Sequence, residues 1–196
     1  MCSLNKILII AGVPGAGKSS VLKEVHKKRS KTFKIISFGT KMFNLCIERN
    51  LVENRDQIRN LNHELQKQLQ IETAELIAKE HGNYLLDTHC TIKTPAGYMS
   101  GLTDKMLFIL KPVAIILVDA HEVEISGRRK LDKNRPERTI ESFEDVKEHK
   151  VINRAFATSF AQKSDSLLKI VQNNTGEFES AVEEIVQTLD FVTSKS

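Results

Sequence analysis

The sequence predicts an α/β fold in which a five-stranded parallel sheet is covered by helices on both faces. Three observations predict it. Five short aliphatic runs recur along the chain, segments of helical period separate them, and a glycine-rich loop follows the first run directly. The 196 residues suit one domain with a small insert, and 40% hydrophobic against 28% charged residues excludes a disordered or membrane-embedded chain. Lys and Arg total 29 against 25 Asp and Glu, a net charge of +4 that suits solubility, nucleic acid or a phosphorylated small molecule alike.

The first run, Lys6-Ile7-Leu8-Ile9-Ile10-Ala11, is aliphatic nearly throughout, as a central strand buried on both faces requires. After it, Val21, Leu22 and Val25 form one stripe of a helix beginning near Lys18; Lys27, Lys28 and Arg29 gather at its C-terminal end, where the dipole favours cations. Phe33 to Phe38 is the second strand. From Lys41 to about Glu80 the pattern is helical, with Ile58, Leu61, Leu65 and Leu69 at three-to-four spacing and His81-Gly82 as the stop. This is more helix than one crossover needs. Its first half therefore reads as an insert projecting from the sheet, and Asn62 to Glu80 as the returning helix. Tyr84 to Asp87, Ala114 to Asp119 and Leu167 to Val171 supply the other strands. The charged, arginine-rich stretch Glu122 to Arg138 is expected to be a mobile lid, followed by a long helix from about Ile140 to Lys163. A last helix, Gly176 to Leu189, sets Phe178, Val182, Ile185, Val186 and Leu189 on one face.

Cys2, Cys46 and Cys90 are odd in number and widely spaced, which suggests neither a disulfide framework nor a zinc module. The apolar run after Lys6 is about six residues long, too short for a signal sequence or a bilayer span, so a cytoplasmic location is expected.

The strongest motif is Gly12-Val13-Pro14-Gly15-Ala16-Gly17-Lys18-Ser19-Ser20, which satisfies G-x-x-x-x-G-K-[ST] between a strand and a helix. Its glycines let backbone N–H groups converge on phosphate oxygens at a helix N-terminus. Lys18 adds a mobile charge for the β/γ oxygens, and Ser19 offers a hydroxyl to Mg²⁺. This pattern specifies a nucleoside triphosphate, not the group that receives its phosphoryl. Asp87 and Asp119 end the third and fourth strands, where ligands bind in open α/β sheets, and either suits a carboxylate that holds Mg²⁺ through water. Asp87 is favoured because Thr88, His89 and Thr91 follow it at once. His63, His81, His89, His121 and His149 show no metal-ligand spacing; His89 alone has a reading, as a hydrogen-bonding group beside Asp87.

Phosphoryl transfer needs positioned cations. Arg55 and Arg59, four apart on an expected helix, would share a face and grip one phosphate. Arg128, Arg129, Arg135 and Arg138 populate the expected lid, and Arg154 interrupts a run of small and apolar residues. Lys93 sits in a Pro/Gly-punctuated loop past Asp87, which would either line an acceptor pocket or turn the chain.

The phosphate loop, Ser37 to Thr40, Glu53 to Arg59, the segment Asp87-Thr88-His89-Cys90-Thr91-Ile92-Lys93-Thr94-Pro95 with Gly97-Tyr98, and Asn153-Arg154-Ala155 together resemble the archaeal-type adenylate kinases over nearly the whole chain. The resemblance implies a P-loop NTPase three-layer sandwich, with core segments 1–39, 82–120 and 139–196, a nucleoside-monophosphate-binding insert at about 40–61 and a lid at about 121–138. It implies the reaction ATP + AMP = 2 ADP with Mg²⁺, and often a homotrimer. By the same resemblance, residues 12–20 hold the ATP phosphates, Thr40 sits near the AMP base, and Arg55 or Arg59 sits near the AMP phosphate. Arg128, Arg135 and Arg138 close on the transferring group. The chain departs from the bacterial branch, whose two AMP-binding arginines are missing from their usual places: Gly39-Thr40-Lys41-Met42-Phe43 and Thr88-His89-Cys90 stand there instead. Arg55, Arg59 and Lys93 are the expected replacements, and the four-cysteine zinc site of some relatives is absent from the lid. The residues alone also admit a kinase for another nucleoside monophosphate, because base choice rests on a few pocket contacts. They further admit a P-loop ATPase acting as an RNA or protein assembly factor. No basic stripe interleaved with aromatics supports the latter, and Trp is absent.

Overall fold

The aliphatic runs are strands, and their alternation divides the core in two. In a computed structural model that describes residues 5–94, 96–131 and 142–194, the elements in chain order are β1 (Ile7–Ala11), α1 (Lys18–Arg29), β2 (Phe33–Ser37), α2 (Phe38–Glu48), a 3-10 helix (Arg55–Asn60) and α3 (His63–Ala78). There follow β3 (Asn83–Asp87), β4 (Thr91–Thr94), β5 (Gly97–Ser100), α4 (Asp104–Leu110), β6 (Ala114–Asp119), α5 (Glu122–Leu131), α6 (Phe143–Ser164), β7 (Leu167–Gln172) and α7 (Phe178–Ser194). All five positions of β1 are buried: Ile7, Ile9 and Ala11 join one apolar cluster with residues of α2, α3, α4 and α6, while Leu8 and Ile10 join another with α1 and α7. That period-two split is how a parallel strand holds helices on both faces. Each fully buried aliphatic side chain contributes about 1.5–3 kcal/mol.

The five-stranded sheet runs β2-β3-β1-β6-β7, parallel throughout. From β1 the chain crosses to the edge strand β2, returns through β3 beside β1, and then passes to the other side through β6 and β7. The strand order therefore reverses at β1, and the crevice beyond its carboxyl end is the ligand site this topology provides. The register places Ile10 beside Asp87 on one flank and Ile116 on the other.

Several boundaries differ from the sequence reading. The Pro/Gly-punctuated loop after Asp87 is an antiparallel hairpin, β4–β5, with Thr91 opposite Ser100 and Lys93 opposite Tyr98; its four-residue strands are too short for a period-two signal to stand out. The helical stretch from Lys41 to about Glu80 comprises α2, which ends before Asn50 takes a left-handed φ of 55°, the 3-10 helix, and α3, which lies where the returning helix is expected over Asn62 to Glu80. The helix α4, buried through Met106, Leu107 and Leu110, was not foreseen because seven residues hold barely two turns. Among the described residues no helix is long and apolar enough to cross a membrane.

Candidate active site

The loop between β1 and α1 is shaped from outside by α5 and by the residues after β7. Arg129 Nε donates to the Pro14 carbonyl at 2.6 Å, Asn173 Nδ2 donates to the Ala16 carbonyl at 2.8 Å, and Arg128 Nη2 donates to the Asn173 carbonyl at 2.9 Å. Glu124 holds Arg128 at 2.7 Å and accepts from the Thr175 amide at 2.8 Å, joining α5 to the β7–α7 turn. A planar trans peptide directs its carbonyl and the following N–H to opposite sides. Pulling the Pro14 and Ala16 carbonyls toward α5 and β7 therefore turns the Gly15 and Gly17 N–H groups the other way, into the loop. Gly17 is obligatory here: its φ is +83°, and a Cβ would collide with the Asn173 amide. Beneath the loop, Val13, Ala16, Ala120, Ile125 and Val146 form a small buried cluster. Ser19 and Ser20 open the first turn of α1 and are exposed.

Lys18 lies across the crevice and forms an ion pair with the Asp87 Oδ1 at the end of β3. Burial pulls its ammonium down to about 8, so at neutral pH it still carries its proton. Asp119, at the equivalent place on β6, is 3% exposed. It is fully occupied: Arg154 Nε and Nη2 donate to its Oδ2 at 2.9 and 2.5 Å, and Lys150 Nζ stands 3.5 Å from its Oδ1. Lys150 also donates to the Ala120 carbonyl at 2.5 Å and to Glu122 at 3.0 Å, holding the Glu122 carboxyl below its usual range. The structure thus separates the two carboxylates the sequence left as alternatives. Asp87 faces the phosphate-loop lysine, whereas Asp119 anchors α6 to the sheet.

On the acceptor side, Ser37 is in register with Asp87 and caps α2, its hydroxyl accepting from the Thr40 amide and from Thr40 Oγ1, the latter at 3.1 Å. Thr40 lines an open groove of about 420 Å³ with Ser37, Lys41 and Asn44. Arg55 and Arg59 do not share a face. They lie on a 3-10 helix, whose three residues per turn rotate positions four apart by about 120°. Both are exposed: Arg55 lays its guanidinium against the Gly39 α-carbon, while Arg59 is 3.6 Å from Asp56.

Two more expected acceptor-side cations are committed elsewhere. Lys93 Nζ is 3.0 Å from Asp145, which together with Ser142 forms the capping box of α6, and Arg154 is held by Asp119 as above. The two hydrogen bonds from Ser142 and that from Lys93 hold the Asp145 carboxyl down at about 2. His89 is exposed beside Asp87. The stretch expected to be the lid begins as α5, seated on the phosphate loop through Arg128, Arg129 and the buried Ile125. Arg135 and Arg138 lie outside the described residues.

Asn173 and Lys150 matter here and escape sequence reasoning, and His149 and Asn153 are named there without the role they take. Asn173 follows the last strand directly, and a polar side chain at a carboxyl strand end was the available signal. Lys150 lies four residues before Arg154 on α6, a spacing that puts both on one face, toward Asp119. His149 Nε2 and Asn153 Oδ1 meet Thr91 Oγ1 at 3.1 and 2.9 Å in a buried cluster that ties the hairpin to α6. Nothing in the spacing joins residues 58 to 62 positions apart.

Similar proteins fit this arrangement. A family model described as AAA domain matches residues 11–147. The chain is 41% identical over 192 residues to the adenylate kinase of Pyrococcus horikoshii, covering 96% of this chain and 97% of that one. It is also 41% identical to the adenylate kinase of Methanocaldococcus jannaschii, covering 94% and 98%. The fold is shared with a shikimate kinase from Bacteroides thetaiotaomicron, with a TM-score of 0.62 at 14% identity over 94% of this chain and 98% of that one. Near-complete coverage at such identity by archaeal adenylate kinases, on a sheet whose switch point carries a phosphate loop, places the chain in the adenylate kinase family.

Proposed function

We infer that the protein is an adenylate kinase, catalysing reversible phosphoryl transfer between ATP and AMP to give two ADP. The observation that carries this reading is the pairing of a complete phosphate loop with full-length similarity to adenylate kinases. A phosphate oxygen of AMP attacks the ATP γ-phosphorus, the bond to the ADP oxygen breaks in line, and no covalent enzyme species is needed. The chain's own task is to position two nucleotides and supply fixed positive charge. Gly12, Val13, Pro14, Gly15, Ala16, Gly17, Ser19 and Ser20 cradle the donor phosphates, with Lys18 leaving Asp87 for the β/γ oxygens as they enter. Arg55 takes the acceptor phosphate and Thr40 sits near the acceptor base. Arg128, at the loop's rim, with Arg135 and Arg138 from the segment that follows, closes on the transferring group; Lys93, Arg59, His89 and Arg154 serve its surroundings.

Mg²⁺ suits the donor set. Exposed Ser19 and half-buried Asp87 offer oxygen ligands. That is the sparse protein coordination Mg²⁺ prefers, with phosphates and water completing it. Ser19 and Asp87 would hold the ion, and it would supply positive charge that offsets the phosphates during transfer.

Division into a core, an acceptor insert near 40–61 and a lid near 121–138 belongs to the same reading, as do a cytoplasmic location and the absence of a nucleic-acid partner. So does a homotrimer, for which the exposed cross-strand pair Ile92 and Met99 offers an apolar face. The test is ADP formation from ATP with AMP, CMP, UMP or GMP. AMP is expected to be the preferred acceptor by kcat/KM; preference for another base would reassign the enzyme, and hydrolysis indifferent to all four would defeat the reading.

A further inference from the structure

We propose that Gly39 is a positioning residue for the acceptor nucleotide: its bare α-carbon is the seat on which the Arg55 guanidinium lies, and a side chain there would lift that cation off the acceptor phosphate. The proposal rests on the reading of Arg55 as the acceptor-phosphate ligand.

Gly39 occupies the first turn of α2 in ordinary right-handed backbone, where glycine has no conformational advantage and alanine is the better helix former. Close approach is the reason glycine stands there. A Cβ at this place would overlap Arg55 Nη2 and lie 3.3 Å from Cζ. The Arg55 backbone is in turn fixed. It opens the 3-10 helix whose cap, Asn54, exchanges hydrogen bonds with Gln57, and Ile58 on the same turn packs against the core. A fixed Cα at one end and a bare α-carbon under the other set the reach of the guanidinium.

The charge on Arg55 is also available. Among the described residues, Arg49 is 2.5 Å from Glu72 and Arg59 is 3.6 Å from Asp56, whereas Arg55 has no carboxylate partner. Its location suits an acceptor. Gly39 lies two residues beyond the end of β2, and Ser37 is in register with Asp87, which pairs with Lys18. The seat is therefore on the carboxyl edge of the sheet, about 4.8 Å per strand from the donor loop and two strands away. A planar guanidinium binds phosphate through two parallel N–H donors, so tilting its plane costs more than moving a point charge would.

The test is a double-mutant cycle read by calorimetric binding of AMP and, separately, of ATP, with melting temperature recorded for each variant. Gly39→Ala is expected to weaken AMP binding about tenfold, the order of one charge-assisted hydrogen bond. ATP affinity should be unchanged and the melting temperature equal or higher. Arg55→Ala should weaken AMP binding at least as much, and adding Gly39→Ala to it should do nothing further. Three results overturn the proposal: Gly39→Ala binding AMP as the wild type does, the same loss persisting without Arg55, or a loss shared by ATP together with a lowered melting temperature. An Arg55→Ala variant that binds AMP normally overturns it too. Because the readout is binding, a wild type that makes no ADP would count against the kinase reading and not against Gly39.

Discussion

Lys18 and Asp87 neutralise each other across the crevice, and this pairing shapes what their substitution does. Lys18→Ala would remove the charge that we propose meets the β/γ oxygens as negative charge spreads in the transition state. A single positioned donor of this kind is worth about 10²–10³ in kcat, and circular dichroism should report an intact fold while turnover falls by that order. Full turnover would remove Lys18 from the mechanism. The two strand-end aspartates part company in the same way. Asp87→Asn should raise the Mg²⁺ concentration needed for half-maximal activity. Asp119→Asn should leave that requirement near the wild-type value and instead strand Lys150 and Arg154, costing about 3 kcal/mol in urea unfolding. A reversed ranking in the metal titration would show Asp119 to be the carboxylate that matters for Mg²⁺.

Among the elements, α6 does the most to hold the crevice together. From successive turns it sends Asp145 to Lys93, His149 and Asn153 to Thr91, and Lys150 and Arg154 to Asp119, so it links β4 to the end of β6. Its start depends on Asp145, whose folded carboxyl titrates at about 2 against 3.8 for the free group. A depressed carboxyl contributes stability that is present above 3.8 and disappears as pH falls through 2. Asp145→Asn should therefore be less stable than the wild type at neutral pH, with the gap in urea midpoint closing between about pH 4 and pH 2. A gap that stays constant across that range would mean Asp145 acts through something other than its charge.

Over the whole molecule, the parts legible in the sequence were those governed by local pattern. Ile7 to Ala11 announce a central strand because burial on both faces demands an unbroken aliphatic run, and residues 12–20 announce their chemistry because backbone N–H convergence needs glycines at fixed offsets. What stayed illegible depends on distant partners. Whether Asp119 is free or locked is decided by Lys150 and Arg154, more than 30 positions away, and no spacing rule encodes the 3-10 winding that separates Arg55 from Arg59. Lys93 looked available because its partner, Asp145, lies 52 residues further on.

On the proposed reaction, one crevice binds two nucleotides with their phosphates end to end. The most direct test is titration with a bisubstrate analogue, two adenosines joined through a polyphosphate, set against ATP and AMP alone. One analogue per chain is expected to bind, at least a hundredfold more tightly than either nucleotide because the linkage replaces one association step with an intramolecular one, and in competition with both. An analogue that binds no better than ATP, or that competes with ATP and leaves AMP binding untouched, would contradict it.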